Sequence, residues 1–291
     1  MNATAMNTPA TDSLASWWAT AIIDMQPGEI RYRGYPIEQL IAARVGFVPM
    51  IWLMTRGELP TPAQRDLLDA VLMSAVDHGP QAPSIAIARM ASTCGVGLNS
   101  AMASAVNVLG DVHGGAGEQA LELYQRIATR LEAGQIPLVG QAFDTAVDAA
   151  LAEWIADHGR FVPGFGHRFH PVDPRTGPLL ARVDAAAARG DISGRFATIG
   201  RAVEAALARS KAGRRVPMNI DGATAVIYAE LGFAPALARG LFCLSRSVGI
   251  LAHAWEQSGQ AERNKGPMPR NILPKYTGQP PRPVPATDTS D

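Results

Sequence analysis

Residues 161–175 read FVPGFGHRFHPVDPR and crowd imidazole and guanidinium groups into one short segment. The segment holds His167, His170, Arg168 and Arg175 among two glycines and three prolines. Proline removes a backbone donor and glycine loosens the chain, so this composition predicts an irregular loop. Imidazoles transfer protons and guanidiniums bind carboxylates, so the loop has the groups for acid–base chemistry on an anionic ligand.

Three histidines share one sequence context. His78 in DHGP, His113 in DVHGG and His167 in GFGH each lie near glycine at a predicted boundary between a loop and a helix. One histidine in such a place is usually structural, but three of them, with Asp221 at another predicted helix start, favour an active site. Zinc ligands typically lie four residues apart on a helix or close together in a short loop. These histidines show neither spacing, so we expect no metal.

Two of these groups lie where a predicted helix begins. His113 precedes Gly114-Gly115, and the positive end of the helix dipole there disfavours imidazolium and keeps the ring neutral. A neutral imidazole can donate a hydrogen bond to a developing enolate. Asp221, in MNIDG, has a simpler interpretation as the N-cap of its helix, and the residue alone favours that interpretation.

Arginines form a second group of candidates. Arg246 lies in LFCLSRSVGILAHAW, where an isolated charge would be costly to bury. It either extends to solvent, pairs with an acid such as Glu256, or binds an anionic ligand. Arg175 follows Asp173-Pro174, which predict the start of a helix, and Arg168 follows His167 directly. A di- or tricarboxylate needs several such groups, because each bidentate pair fixes one carboxylate.

Composition restricts the class of protein. The chain of 291 residues is 47% hydrophobic but only 6% aromatic, a mixture that favours packed helices. Lysine plus arginine equals aspartate plus glutamate, 26 each, so we expect neither nucleic acid nor a membrane surface as partner. Cys94 and Cys243 lie in apolar stretches and predict buried thiols. No signal peptide and no uncharged membrane-spanning stretch is visible, so we expect a cytoplasmic protein.

Helical patterns follow one another along most of the chain. Thr61-Pro62-Ala63-Gln64 predicts a capping box, and apolar spacing predicts helices at about 141–157, 176–189, 193–210 and 235–258. Few convincing strands are visible, so we predict an all-α fold. Residues 1–12 predict a disordered leader, and the proline-rich residues 279–291 predict an extended or disordered tail.

Five blocks resemble signature blocks of the citrate synthase superfamily: YRGYPIEQL, DVHGGAGEQAL, GFGHRFHPVDPR, MNIDG and CLSRSVGILAHAWEQ. They occur in the family's order between about residues 31 and 278. The resemblance is closest to citryl-CoA lyases and the corresponding module of ATP-citrate lyases, because only one helix fits between GELPTP and DHGP. It implies a large helical domain at 13–160 and 212–278, and a smaller one at 161–211 that closes over the site.

The resemblance also implies residue roles. The three catalytic groups would be His113, bonding the thioester oxygen of the enolate, His167, exchanging a proton with the oxaloacetate oxygen, and Asp221, the base at carbon. The residues expected to bind oxaloacetate are His78, Arg168, Arg175, Arg246 and Arg270, the last supplied by the partner subunit of a homodimer with shared sites. The helix at 95–110 is expected to pack closely in that dimer.

Coenzyme A is expected as part of the substrate, and no cofactor is expected. Gly164, Phe165 and Gly166 are the expected backbone contacts to CoA, and Lys211 and Arg214 are the expected phosphate contacts. Gly117 stands where the family usually has asparagine, which is a departure from its pattern.

The leading hypothesis from the resemblance is cleavage of citryl-CoA, or a close analogue, to acetyl-CoA and oxaloacetate. A citrate or alkylcitrate synthase, condensing an acyl-CoA with a 2-oxo acid, would use the same residues and stays open. A third alternative is a non-catalytic subunit that binds CoA or citrate. The presence of His113, His167 and Asp221 argues against it, because a binding subunit would not need the base.

Overall fold

The computed structural model describes residues 16–167, 170–210, 215–269 and 271–284. Several expectations from the sequence lie outside these residues. They are the leader at 1–12, the end of the tail at 285–291, and the roles of Arg168, Lys211, Arg214 and Arg270.

The chain begins with a small antiparallel sheet. Its strands are β1 (Ile23–Gln26), β2 (Glu29–Tyr32) and β3 (Tyr35–Pro36), in the order β1-β2-β3. Gly28 and Gly34 form the two turns at φ of 83° and 87°, a region that glycine enters without strain. The register pairs Ile23 with Tyr32, and Tyr32 with Tyr35.

Helices form most of the described chain. They are α1 (Ile37–Ala42), α2 (Phe47–Arg56), α3 (Pro62–Ser74), α4 (Pro83–Thr93), α5 (Leu98–Val106), α6 (Ala116–Ala133), α7 (Gln141–His158), α8 (Thr176–Ala188), α9 (Arg195–Ser210), α10 (Ile220–Glu230) and α11 (Pro235–Ser258). The predicted all-α fold class is confirmed.

The start of α3 confirms the predicted capping box. Thr61 Oγ1 accepts a hydrogen bond from the Gln64 backbone N–H at 3.2 Å, and Gln64 Oε1 accepts one from the Thr61 N–H at 2.8 Å. Pro62 occupies the first helical position, where its missing N–H costs nothing.

The chain divides into two compact units. Unit 1 comprises Met1–Asp77 and Leu109–Val248, within which α10 packs against α3, α6, α8 and α9. Helix α10 is buried from Gly222 to Ala229, so it forms the centre of this unit. Leu121, Tyr124 and Ile199 are among the fully buried side chains around it. The core of unit 1 therefore surrounds the helix that begins with Ile220 and Asp221.

Unit 2 comprises His78–Val108 and Gly249–Asp291, and within it α4 packs against α5. Arg89 on α4 pairs with Glu256 at 2.5 Å and donates to Gln260 at 3.1 Å. The suggested pairing of Arg246 with Glu256 is therefore wrong, because Glu256 pairs with Arg89. The domain boundaries implied by the family resemblance differ from these units and stay a prediction.

One expectation about the cysteines is wrong. Cys94 is exposed and Cys243 is half-buried, and both are free thiols. Cys94 follows directly after α4, at its C-cap, so the apolar residues before it in sequence do not cover it.

Within the described residues, α11 is the one helix long and apolar enough to cross a membrane by length and composition alone. Core helices of soluble proteins meet the same two criteria. Helix α11 buries Ala238, Leu241 and Arg246. Its length and composition are therefore only weak evidence for a membrane span.

Candidate active site

The glycine loop after α7 is joined to the start of α10 by a very close backbone approach. A Cβ atom at Gly222 would lie 2.4 Å from the Gly164 carbonyl oxygen, and Gly164 itself has φ of 84°. Asn219 strengthens the junction, since its N–H donates to Gly164 O at 2.9 Å and its Nδ2 donates to Gly166 O at 2.6 Å. The two glycines therefore bring the loop and Asp221 together.

The cap of α10 differs from the simpler interpretation of Asp221. The N-cap is Asn219, whose Oδ1 accepts from the Asp221 N–H at 2.9 Å and from the Gly222 N–H at 3.3 Å. The interpretation of Asp221 as a capping residue is wrong, because Asp221 lies inside the first turn. Its carboxylate is therefore not used as the cap.

Asp221 is half-buried and has an unusual charge environment. Burial raises the pKa of its carboxyl, and the negative charge of Asp173 raises it further, whereas the charges of Arg175 and Arg246 lower it. Desolvation is the largest of these effects, so the carboxyl holds a proton at higher pH than an exposed aspartate does. Such a group can both take and return a proton.

His113 lies in the loop that precedes α6 and is half-buried. The loop turns at Gly114, where φ is 108° and a Cβ would lie 2.9 Å from the Phe242 ring. Burial lowers the pKa of His113, and the positive charge of Arg246 lowers it further. Both effects favour the neutral ring, the form that the position before the helix also predicts from the helix dipole, and the causes seen here are burial and the Arg246 charge.

Arg246 lies on α11 and is only 5% exposed. Its Nε donates to the Ala75 carbonyl at 3.0 Å, and its guanidinium carbon lies 4.9 Å from the Phe242 ring centroid. Burial lowers the pKa of Arg246, and the charge of Asp77 opposes that change. Extension into solvent is excluded for this side chain, so a buried positive charge stands close enough to interact with His113 and Asp221.

His167 is half-buried at the end of the glycine loop. Its Nδ1 accepts a hydrogen bond from the His170 backbone N–H at 3.1 Å, and the two rings lie 4.7 Å apart. A backbone N–H can only donate, so the neutral ring carries its proton on Nε2. Burial lowers the pKa of His167, the charge of Asp173 raises it, and those of His170 and Arg175 lower it.

Arg175 makes a bidentate pair with Asp173. Its Nε donates to Asp173 Oδ1 at 3.0 Å, and its Nη2 donates to Oδ2 at 2.9 Å. The helix start predicted from Asp173-Pro174 is present, but the N-cap residue of α8 is Arg175, and Asp173 accepts a hydrogen bond from the Arg175 N–H at 3.1 Å. Arg175 therefore stays partly exposed while Asp173 is buried.

Unit 1 thus brings together most of the described site residues. Electrostatic interactions join Asp221 to Arg175 and Arg246, Arg246 to His113, and Arg175 to His167. His78 belongs to unit 2. Among the described residues, no group of three or more His, Cys, Asp or Glu side chains could hold a metal ion.

A cavity of about 810 Å³ opens beside the glycine loop in unit 1. All three expected backbone contacts to CoA, Gly164, Phe165 and Gly166, line it, as does His167. Its basic side chains include Arg160 and Arg215. The cavity is large enough for part of an extended anionic ligand next to His167.

The arrangement agrees with a comparison against known families. The profile described as "Citrate synthase, C-terminal domain" matches residues 9–67 and 61–270. The chain belongs to the citrate synthase family. Among curated family members, the glyoxysomal citrate synthase of Cucurbita maxima is 30% identical over 239 residues, covering 78% of this chain and 41% of that protein. The chain spans about half or less of the curated relatives it matches.

Solved structures of the family give a second comparison. Citryl-CoA lyase from Hydrogenobacter thermophilus superimposes with a TM-score of 0.78 at 30% identity, covering 92% of this chain and 98% of that chain. ATP citrate lyase from Methanothrix soehngenii, solved in complex with citrate and coenzyme A, has a TM-score of 0.73 at 21% identity, covering 96% of this chain and 46% of that one. The second likeness shows the citrate synthase-like fold alone.

From the sequence, no functional role was assigned to three residues that the structure places in the site. Asn219 caps the helix of Asp221, His170 fixes the His167 ring, and Asp173 binds Arg175. The signal for Asn219 was present, because asparagine directly before the first turn of a predicted helix is a common cap. The contacts of His170 and Asp173 depend on how the loop folds, and no spacing rule reveals them.

Proposed function

We propose that this chain acts as a citryl-CoA lyase-type enzyme, cleaving citryl-CoA or a close analogue to acetyl-CoA and oxaloacetate. The observation that carries the proposal is the likeness to citryl-CoA lyase, which extends over nearly the full length of both chains at 30% identity. The arrangement of Asp221, His113 and His167 in one unit supports it.

The cleavage needs two proton movements and one bond break. The form of His167 that reacts in cleavage carries its proton on Nδ1 instead of Nε2, so it gives up the bond from the His170 N–H. Nε2 then takes the hydroxyl proton of the citryl group, the carbon–carbon bond breaks to leave the oxaloacetate carbonyl, and the electron pair moves into the thioester as an enolate. His113 donates a hydrogen bond to the enolate oxygen, which is typically worth about 3–4 kcal/mol for a donor of this kind. Asp221 then returns a proton to the terminal carbon and forms the acetyl methyl group.

The charges around these groups suit those roles. Burial raises the pKa of Asp221, so its acid form is available to return a proton. Burial and Arg246 lower the pKa of His113, so its ring donates a hydrogen bond without carrying a full charge. Acid–base groups matched in this way typically contribute about 10²–10⁴-fold each.

The dicarboxylate would be held by Arg175 and Arg246. Arg246 is buried, and an anionic ligand beside it offsets the cost of desolvating the guanidinium. Arg175 is already oriented by Asp173. Two fixed guanidiniums of this kind match a ligand with carboxylates at both ends.

The CoA part of the substrate would occupy the cavity beside the glycine loop. Arg160 and Arg215 line that cavity and offer positive charge for phosphate groups, although Arg215 also pairs with Glu204 at 3.0 Å. Lys211 and Arg214, expected for the same role, stay predictions outside the described residues. Gly164 has a further reason to be glycine, which is its approach to Gly222.

A citrate synthase activity is the second candidate, and two observations favour it. The curated relative from Cucurbita maxima is named a citrate synthase. In addition, the His170 N–H holds His167 with its proton on Nε2, the form that can donate to a carbonyl oxygen during condensation. Cleavage needs the ring with Nε2 unprotonated.

One pair of assays tests the proposal. Products are followed by mass spectrometry, first with citryl-CoA and then with acetyl-CoA plus oxaloacetate. A lyase forms acetyl-CoA and oxaloacetate from citryl-CoA. Release of citrate and free CoA from the second mixture identifies a synthase instead. Binding of CoA thioesters without turnover in either assay would leave only the non-catalytic subunit.

We also propose a homodimer. Leu244, Val248, Leu251 and Trp255 lie at spacings of four, three and four along α11, and all four are at least 40% exposed. An exposed apolar stripe on one helix is unfavourable in water unless another surface covers it, and a second copy of this chain would do so. We expect analytical ultracentrifugation at micromolar concentration to give a dimer, and a stable, active monomer would contradict it.

A further inference from the structure

Asp173 is a fully buried charge beside the catalytic groups. Its side chain is 0% exposed, and it lies between the histidine loop and α8. A buried carboxylate is costly unless hydrogen bonds and an opposite charge compensate it. Its contacts therefore indicate what it does.

Four hydrogen bonds satisfy both oxygens of Asp173. Oδ1 accepts from the Arg175 backbone N–H at 3.1 Å and from Arg175 Nε at 3.0 Å. Oδ2 accepts from Arg175 Nη2 at 2.9 Å and from the Ile220 N–H at 3.1 Å. Burial alone would raise the pKa of Asp173, but the hydrogen bonds and charge of Arg175, with the bond from Ile220, lower it to about 2. The group is therefore an anion at any ordinary pH.

The pair occupies only one edge of the Arg175 guanidinium. Asp173 binds Nε and Nη2, so Nη1 and the outer hydrogen of Nη2 form a second fork. A planar guanidinium can bind one carboxylate on each of these edges. Asp173 therefore fixes the orientation of Arg175 and leaves it able to bind another carboxylate.

The same carboxylate reaches the helix of the carbon base. Ile220 is the first residue of α10, and its N–H donates a hydrogen bond to Asp173. The N–H groups of Asp221 and Gly222 donate to the Asn219 side chain. The Asp173 carboxylate therefore hydrogen-bonds both Arg175, which is expected to bind the dicarboxylate, and the first turn of α10, which contains Asp221.

We propose that Asp173 is a positioning residue that sets the free guanidinium edge of Arg175 for the oxaloacetate part of the substrate and couples it to the first turn of α10. The inference rests on the proposed function, because it takes oxaloacetate as ligand. It assigns Asp173 no contact with the reacting atoms. It also predicts that the largest effect of Asp173 on oxaloacetate binding passes through Arg175.

The test measures oxaloacetate and CoA-thioester affinity by calorimetry for Asp173→Asn, Arg175→Ala and the double variant. Asparagine keeps the volume of aspartate but turns an N–H toward a donor. We expect the oxaloacetate Kd of Asp173→Asn to rise roughly ten- to hundredfold, with the CoA-thioester Kd changed less than about twofold. The double variant should match Arg175→Ala, since two residues that act as a unit are not additive.

Asp184 gives a matched control. It forms a bidentate pair with Arg201, at 3.0 and 2.7 Å, but both side chains are about half exposed. Asp184→Asn should leave the oxaloacetate Kd within about twofold of the parent, because exposed pairs contribute little. An equal loss in this variant would mean that removing any aspartate charge is sufficient.

Several outcomes would overturn the inference. They are unchanged oxaloacetate affinity in Asp173→Asn, equal weakening of CoA-thioester binding, and additive losses in the double variant. If Asp173→Asn does not fold, Asp173→Glu decides, since an oxaloacetate Kd equal to the parent's would reduce Asp173 to a folding role. If the parent protein itself binds no oxaloacetate, the proposed function fails first and this inference with it.

Discussion

Helices α6 and α10 pack against each other in unit 1, yet their first turns are built in different ways. The first three N–H groups of α10 are bonded by the side chains of Asp173 and Asn219. Helix α6 begins after Gly115, which offers no capping side chain. The start of α10 therefore depends on contacts from an earlier loop, whereas the start of α6 depends on local backbone.

The surroundings of the two helices differ as well. Helix α10 is buried continuously from Gly222 to Ala229, whereas α6 buries one face and leaves the other toward solvent. A change at the start of α10 therefore meets closely packed backbone, since a Cβ at Gly222 would lie 2.4 Å from the Gly164 carbonyl oxygen. The proposed base, Asp221, therefore lies in the turn with more side-chain hydrogen bonds and more burial, whereas His113 precedes a turn without a capping side chain.

Asp221→Asn is expected to have the largest effect. Because Asn219 already provides the cap, asparagine at this position keeps the shape of the turn and removes only the titrating group. Activity should fall by roughly 10²–10⁴-fold with little change in thermal midpoint. Exchange of the acetyl-CoA methyl protons with deuterated water, measured with an oxaloacetate analogue present, should vanish.

His167→Ala is the control for that exchange, because its imidazole is proposed to serve the other reactant. It should retain exchange, weakened at most, while losing turnover of the complete substrate. Normal exchange in Asp221→Asn would falsify the assignment of Asp221 as the base. It would also remove the functional reason for the rigid start of α10.

Arg246→Leu is expected to have the next largest effect. The substitution places an apolar side chain in a buried position and removes the positive charge near His113 and Asp221. The oxaloacetate Kd should rise by about a hundredfold, with a smaller change for CoA thioesters. Arg182→Leu, which removes an exposed arginine paired with Asp66 at 2.7 Å, should leave both affinities close to the parent's.

The same variant should change the pH dependence of methyl exchange. Arg246 lowers the pKa of Asp221, so its removal raises that pKa. Exchange needs the carboxylate form, which is lost as pH falls through the pKa. The acid limb of the profile should therefore move to higher pH in Arg246→Leu. An unmoved limb, measured at saturating analogue, would mean that Arg246 does not act on the base.

Much of this architecture could be predicted from sequence because its signals are local. The capping box at Thr61 and the helix after Gly115 are encoded by neighbouring residues, and both occur as expected. The cap of α10 was assigned to the wrong residue, since both Asn219 and Asp221 have suitable side chains and only the fold selects one. The Asp173–Ile220 bond joins residues 47 positions apart, so no local pattern contains it.

Gly222→Ala tests the tertiary start of α10 directly. The added Cβ would lie 2.4 Å from the Gly164 carbonyl and 2.6 Å from Met218 Cγ, so backbone must shift. We expect a loss of about 1–3 kcal/mol in the free energy of unfolding, measured by chemical denaturation. Exchange should fall as well, because the shift moves Asp221. An unchanged midpoint would mean that the loop and helix are loosely joined.

Gly117→Ala is the matching change in the first turn of α6, and its effect should be the smallest and opposite in sign. A Cβ at Gly117 would lie 3.7 Å from Thr224 Oγ1 and 4.0 Å from the Asp221 carbonyl, both ordinary contacts. Alanine restricts the unfolded chain and favours helix, so the free energy of unfolding should rise by a few tenths to about 1 kcal/mol. Both glycine variants are compared in the same denaturation experiment. A loss in Gly117→Ala as large as that in Gly222→Ala would show that the two helix starts are equally constrained, and the contrast between them would fail.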